Sequence, residues 1–106
     1  MTREILLGLD VGTSSTNSVI VDTSGKILGQ GSFSYDQLTP RPGWVEQYPE
    51  WYIDGVKHSA AQALMASGRK WSDVCGLSLT HQRLTCIPVD ESGSPLYSAI
   101  VWNDTR

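Results

Sequence analysis

Residues 4–10 (EILLGLD) form a nearly unbroken apolar run closed by a carboxylate. This is the pattern of a central strand covered on both faces. Residues 17–22 (NSVIVD) are rich in β-branched side chains and predict a second strand. The intervening TSGK has turn chemistry, with Gly25 free to take a positive φ. Residues 26–34 (KILGQGSFS) then alternate Ile27, Gly29, Gly31 and Phe33 against Leu28, Gln30, Ser32 and Ser34. That alternation predicts a third strand with one partly polar face, near a sheet edge. Short connections make the three strands an antiparallel meander.

Residues 36–48 carry Pro40, Pro42 and Gly43 and read as a loop. Pro49 suits the first turn of a helix, where its missing N–H costs nothing. Tyr52, Val56, Ala60 and Ala63 fall on one helical stripe with Ile53 and Leu64 beside it, and Gly68 can end the helix. Residues 74–80 (VCGLSLT) predict a fourth strand, parallel to a neighbour because it is reached through a helix. Thr85 to Val89 and Ala99 to Trp102 predict further strands around an ESGSP turn, and no internal repeat or low-complexity segment is expected. Meander, helix and strand in this order open a ribonuclease-H-like α/β domain, in which the first turn carries the chemistry.

That first turn sits within LDVGTSSTNSVIVD (9–22). Consecutive backbone N–H groups in a tight turn can converge on one anion without a lysine. Gly12 lets the backbone approach closely, and Thr13, Ser14, Ser15 and Thr16 add hydroxyl donors. Asp10, at the end of the first strand, is placed to hold Mg²⁺ through water, since Mg²⁺ dehydrates reluctantly. A plain hairpin with a polar turn would share the Gly/Ser/Thr content. The carboxylate ending an apolar strand argues for more, because it needs a partner.

Composition narrows the field. The chain has 106 residues, enough for one small domain, and is 40% hydrophobic and 18% charged with a net charge of −3. A mildly acidic chain without a basic cluster argues against nucleic-acid and anionic-membrane partners. No apolar run is long enough to cross a bilayer, and Arg3 followed by ILLGL does not make a signal peptide. Cys75 and Cys86 form no CxxC pair and read as reduced thiols of a cytoplasmic protein, Cys86 as a small apolar filler. His58 and His81 stand alone and give a transition-metal site nothing to build on.

Four blocks, in order, carry a family resemblance: LGLDVGTSSTNSVIVD, RPGWVEQYPEWY, GLSLTHQR and PLYSAIVWNDTR. The first resembles the phosphate motif of the sugar kinase, Hsp70 and actin superfamily. Together they resemble the N-terminal part of the FGGY carbohydrate kinases, which include glycerol kinase and xylulokinase. The resemblance spans nearly the whole chain and implies a fragment, an incomplete domain opening a much longer two-domain protein. The abrupt end after the apolar run Ala99–Trp102 agrees with that.

The resemblance implies ATP-dependent phosphorylation of a polyol or sugar hydroxyl, with ATP and Mg²⁺ as cofactors and a small polyol or sugar as partner. It places Asp10, Gly12, Thr13, Ser14 and Ser15 at the ATP phosphates and Mg²⁺. Asn17 belongs to the same set and departs from it, because many members carry Arg or Lys there. Asn donates a hydrogen bond but neutralises no phosphate charge, so weaker nucleotide affinity or a cation from elsewhere is expected.

The resemblance puts Gln82, Arg83, Leu84, Trp102 and Asp104 at the substrate. In the glycerol kinase branch an Arg and a Glu bind the polyol hydroxyls as donor and acceptor. Here Leu84 takes the Glu position, which puts glycerol itself in doubt. Trp102 matches an aromatic near the polyol, its ring covering the C–H face and its N–H donating outward. WNDTR (102–106) resembles the xylulokinase and gluconokinase side instead, so the substrate stays open. The catalytic base, by the same likeness, is an Asp beyond Arg106, and the fragment alone is expected to be inactive.

Other readings of these residues also stay open. Arg83 can be a surface cation or a partner of Asp90, Trp102 can be core, and Trp44 and Glu46 read as structural rather than substrate-contacting. Trp51 and Trp71 are left to packing or surface. An Hsp70-like ATPase, a non-catalytic sugar or nucleotide sensor and a free-standing binding module are the alternative functions. Self-association of the full-length protein is left open.

Overall fold

A computed structural model describes residues 4–106, and Arg3 lies outside the described residues. In chain order the elements are β1 (Ile5–Val11), β2 (Ser15–Asp22), β3 (Ile27–Ser34), β4 (Glu46–Gln47), α1 (Pro49–Ser67), β5 (Val74–His81) and β6 (Ala99–Ile100). A 3-10 turn at Trp71–Asp73 leads into β5. The meander forms as expected: β1 pairs antiparallel with β2, and β2 with β3. Strand β5 joins the free side of β1 in parallel, giving the order β3-β2-β1-β5 with β3 at an edge.

Helix α1 covers one face of this sheet. Pro49 stands in its first turn and Gly68 closes it at φ 70, the left-handed conformation that spares a glycine the Cβ clash. The core consists of Ile5, Leu7, Leu9 and Ile20 from the sheet and Ala60, Ala63 and Leu64 from the helix. β1 is therefore covered on one side, not both, among the described residues. Its alternate residues Leu6, Gly8 and Asp10 face away from α1, and Leu6 remains 38% exposed.

The helix seats differently from the expected stripe. A Cβ on Gly31 would lie 2.0 Å from the Ser59 carbonyl oxygen, and one on Gly29 2.1 Å from that of Ala63. A Cβ on Gly55 would meet Thr16 Oγ1 at 2.7 Å. Helix backbone thus rests directly on strand backbone, and Ser59 and Ser18 share a buried hydroxyl hydrogen bond of 2.6 Å. This contact turns Gly55 and Ser59 inward beside Ala60, Ala63 and Leu64, and leaves Ile53 58% exposed.

Beyond the main sheet the chain departs further from its pattern. The segment expected as loop contains β4, which pairs antiparallel with β6. Thr85 to Val89 forms no strand, only isolated bridges from Cys86 to Ile100 and from Val89 to Pro95. The ladder stays short because Pro88 and Pro95 have no N–H to give it. Cys86 is exposed, as is Cys75, so neither is an apolar filler. One local device recurs in VDTSGK and VDESGS. Asp22 Oδ1 accepts from the N–H groups of Ser24 and Lys26, and Asp90 Oδ1 from those of Ser92 and Ser94. Gly25 and Gly93 close the two turns at φ 89 and 86.

Candidate functional site

The β1–β2 register sets Asp10 opposite Asn17 on the face that α1 leaves open. The same row continues to Thr80 on β5 and Ser32 on β3. These four residues line one end of a groove of about 650 Å³. Asp10 Oδ1 accepts from Thr80 Oγ1 at 2.9 Å, but the carboxylate is exposed on the open face, so its place at the end of an apolar strand does not by itself call for a partner. Asn17 Nδ2 donates to Ser15 Oγ at 3.2 Å. Among the described residues no three His, Cys, Asp or Glu side chains gather as a metal cage. A lone strand-end carboxylate fits Mg²⁺ held through water and substrate phosphates, the usual mode for that ion.

The turn between β1 and β2 is held from behind. Gly12 N–H donates to the Ser15 carbonyl at 2.9 Å. The Gly12 carbonyl accepts from the Tyr35 hydroxyl and, at 3.3 Å, from Gln82 Nε2. The Thr13 carbonyl accepts from Gln47 Nε2 at 2.6 Å, and that of Ser14 from Tyr35 N–H at 3.1 Å. With its carbonyls engaged, the turn keeps the N–H groups of Thr13 and Ser14 without an acceptor among the described residues. This is the polarity an anion cradle needs.

The tyrosines behind the turn remain donors. Burial pushes the Tyr35 hydroxyl above its ordinary pKa, and burial pushes Tyr52 up to about 12. Tyr52 donates to Gln47 Oε1 at 2.5 Å, so the amide that restrains Thr13 is itself held. Sequence reading passed over Tyr35, Gln47 and Tyr52. Gln47 and Tyr52 lay inside a block that drew attention, but nothing local shows that an amide between a proline-rich stretch and a helix reaches a turn 34 residues away.

On the other side of Thr13 lies a second cavity, of about 490 Å³, lined by Thr13, His81, Gln82, Arg83, Leu84 and Trp102. Gln82 is wholly engaged within the protein. Its Oε1 accepts from Thr13 Oγ1 at 3.2 Å and from Thr85 Oγ1 at 3.0 Å, and its Nε2 donates to Gly12 O and Gln47 Oε1. Trp102 leaves its ring half exposed, but its indole N–H donates to Thr13 Oγ1 at 3.0 Å rather than outward. Arg83 is exposed and does not pair with Asp90, whose carboxylate is turned into its own loop. Leu84 is 87% exposed and, at φ 64, is the sole non-glycine residue with positive φ among those described.

Asp104 stands apart from this cavity. Its carboxylate accepts from Val45 N–H at 2.7 Å and pairs with Arg106. Arg106 also reaches Glu46 at 2.8 Å and lies over the Trp44 ring, 3.9 Å from its centroid. Tyr97 donates to Glu46 at 2.7 Å. Trp44 and Glu46 are thus structural, tying β4 to the end of the chain. His81 joins the cavity although the sequence offered only an isolated histidine. Its position at the end of β5, next to Gln82 and Arg83, was the available signal.

Residues 5–106 match the N-terminal domain of the FGGY family of carbohydrate kinases. The chain is 38% identical over 104 residues to a glycerol kinase of Leifsonia xyli, a match covering 97% of this chain and 21% of that protein. A "xyloylose kinase" from Brucella ovis superposes with a TM-score of 0.91 at 30% identity, covering 97% of this chain and 22% of the other. The Plasmodium falciparum glycerol kinase solved with ADP superposes at 0.81 with 28% identity, covering 97% and 21%. The chain therefore spans about one fifth of the length of the relatives it matches.

Proposed function

Because the chain belongs to the FGGY family of carbohydrate kinases, we propose that the full-length protein transfers the γ-phosphoryl group of ATP to a hydroxyl of a polyol or sugar. One observation carries this reading. Asp10, just before the Gly12–Ser14 turn, lines one cavity, and Thr13 within the turn lines another. A phosphate held at the turn would sit between a nucleotide groove and a small polar-rimmed pocket, the arrangement that in-line phosphoryl transfer requires.

The residues divide the work. Thr13 and Ser14 N–H groups, with the hydroxyls of Ser14 and Ser15, donate to phosphate oxygens. Asp10 would hold Mg²⁺, which would supply the positive charge that the turn lacks. Asn17 adds a donor without charge. Arg83 donates to substrate oxygens, and the exposed Trp102 ring covers a C–H face. Gln82 acts indirectly, bolting Gly12 and Thr13 to the pocket wall, and Asp104 holds the Trp102–Arg106 segment in place through Arg106 and Val45. The base that takes the hydroxyl proton belongs to sequence beyond Arg106, as does the rest of the nucleotide site. Two exposed thiols suit a reducing cytoplasm.

The test is ADP release by the full-length protein with Mg-ATP across glycerol, erythritol, xylulose, ribulose and gluconate, with the 106-residue chain as a control that releases none. A rise with one substrate supports the kinase reading. Sugar or nucleotide binding without ADP release would favour a sensor, a reading that Asn17 and Leu84 make specific.

A further inference from the structure

A sugar hydroxyl both donates and accepts, so a pocket that orients one needs an acceptor as well as a donor. The side chains around the second cavity supply donors readily and acceptors hardly at all. Arg83 has only donors. Leu84 has neither. Trp102 Nε1 and both ends of the Gln82 amide are spent inside the protein. Thr13 Oγ1 donates to Gln82 and accepts from Trp102. What remains is His81.

The His81 ring faces the Gln82 carbonyl through Nδ1, at 2.9 Å. A carbonyl oxygen can only accept, so the proton of the neutral ring sits on Nδ1 and the lone pair on Nε2. Nε2 has no partner among the described residues, and the ring is exposed at the cavity wall. We propose that His81 Nε2 accepts a hydrogen bond from a substrate hydroxyl in this pocket, supplying the acceptor that Leu84 does not. Arg83 and His81, on either side of Gln82, then form a donor and acceptor pair. The pocket accordingly selects a substrate with adjacent oxygens, one of them a free hydroxyl. This rests on the reading of the second cavity as the sugar site.

The experiment is titration calorimetry on the full-length protein with each of the five sugars and polyols named above, and separately with Mg-ATP. For the tightest-binding sugar, His81→Leu is expected to weaken binding about tenfold, the loss of one hydrogen bond, with ATP affinity unchanged. Adding Leu84→Glu to His81→Leu places an acceptor on the next wall residue and is expected to restore most of the lost affinity. Unchanged ATP binding shows that the variant folds, and Leu84→Glu alone is the control: if His81 is the acceptor, the added Glu gains clearly more affinity in His81→Leu than in the wild type, whereas equal gains would mean that His81 is merely structural. Sugar binding unaltered in His81→Leu, in a protein that still releases ADP, overturns this inference and leaves the kinase reading standing. A protein that binds none of the sugars and releases no ADP overturns both.

Discussion

Asn17 faces Asp10 across the β1–β2 ladder on the open sheet face, beside the proposed phosphate site. Its amide is occupied with nothing stronger than Ser15 Oγ. Asn17→Arg should therefore tighten Mg-ATP binding by the full-length protein by about tenfold, the scale of one charge-assisted hydrogen bond. The gain should shrink at high salt. Unchanged affinity in low salt would mean that the arginine pairs with Asp10 instead.

Glu46 shows the same scale of argument for stability. It is only 5% exposed, and the Tyr97 hydroxyl and then Arg106 hold its carboxyl below the usual range. Arg106 holds Asp104 well below its own. The unfolded chain takes up protons at these groups more readily than the folded one, so stability present at neutral pH is lost as pH falls through and below the ordinary carboxylate range. Urea midpoints at pH 7 and pH 4 should differ more for the wild type than for Glu46→Gln.

At the scale of elements, the seating of α1 on β3 decides most. Gly31 and Gly29 have no Cβ where the carbonyls of Ser59 and Ala63 arrive. Gly31→Ala should force the helix outward and destabilise the domain by about 1–3 kcal/mol, measured by chemical unfolding. Gly25→Ala meets no atom and acts only through its φ of 89, so it should cost less. The alternation of β3 was plain in the sequence and put Gly29 and Gly31 on one face, yet nothing in it marked them as a helix seat. An absent side chain announces itself only when the element that fills its place is known. The same reason explains Ile53. Helical periodicity offered a stripe wide enough to include it, and the glycine contact rotated the buried line toward Gly55 and Ser59.

At the scale of the whole molecule, the open sheet face and the exposed Leu77 and Leu79 of β5 leave much apolar surface uncovered by α1. The chain spans about one fifth of the length of the relatives it matches, and we propose that further chain in the full-length protein covers this face. The proposed site follows the same division: Asp10, the turn, Arg83 and Trp102 belong to this chain, while the base is proposed to lie elsewhere in the full-length protein.

The three-strand meander, the helix after it with caps at Pro49 and Gly68, the parallel entry of β5 and the polar turn after Asp10 were all determined by sequence, because each depends on local backbone preference or on period. So was the family, through blocks whose order survives without coordinates. Tertiary structure alone decided what the polar side chains do. Only folding shows that Gln82 and the Trp102 N–H are spent on the turn, that Asp104 accepts from Val45 N–H, and that Tyr35 and Gln47 hold the turn from behind. It alone turns His81 Nδ1 onto the Gln82 carbonyl and leaves Nε2 a lone pair to offer. Most of these hydrogen bonds join residues far apart in the chain, and no local pattern encodes which donor will find which acceptor.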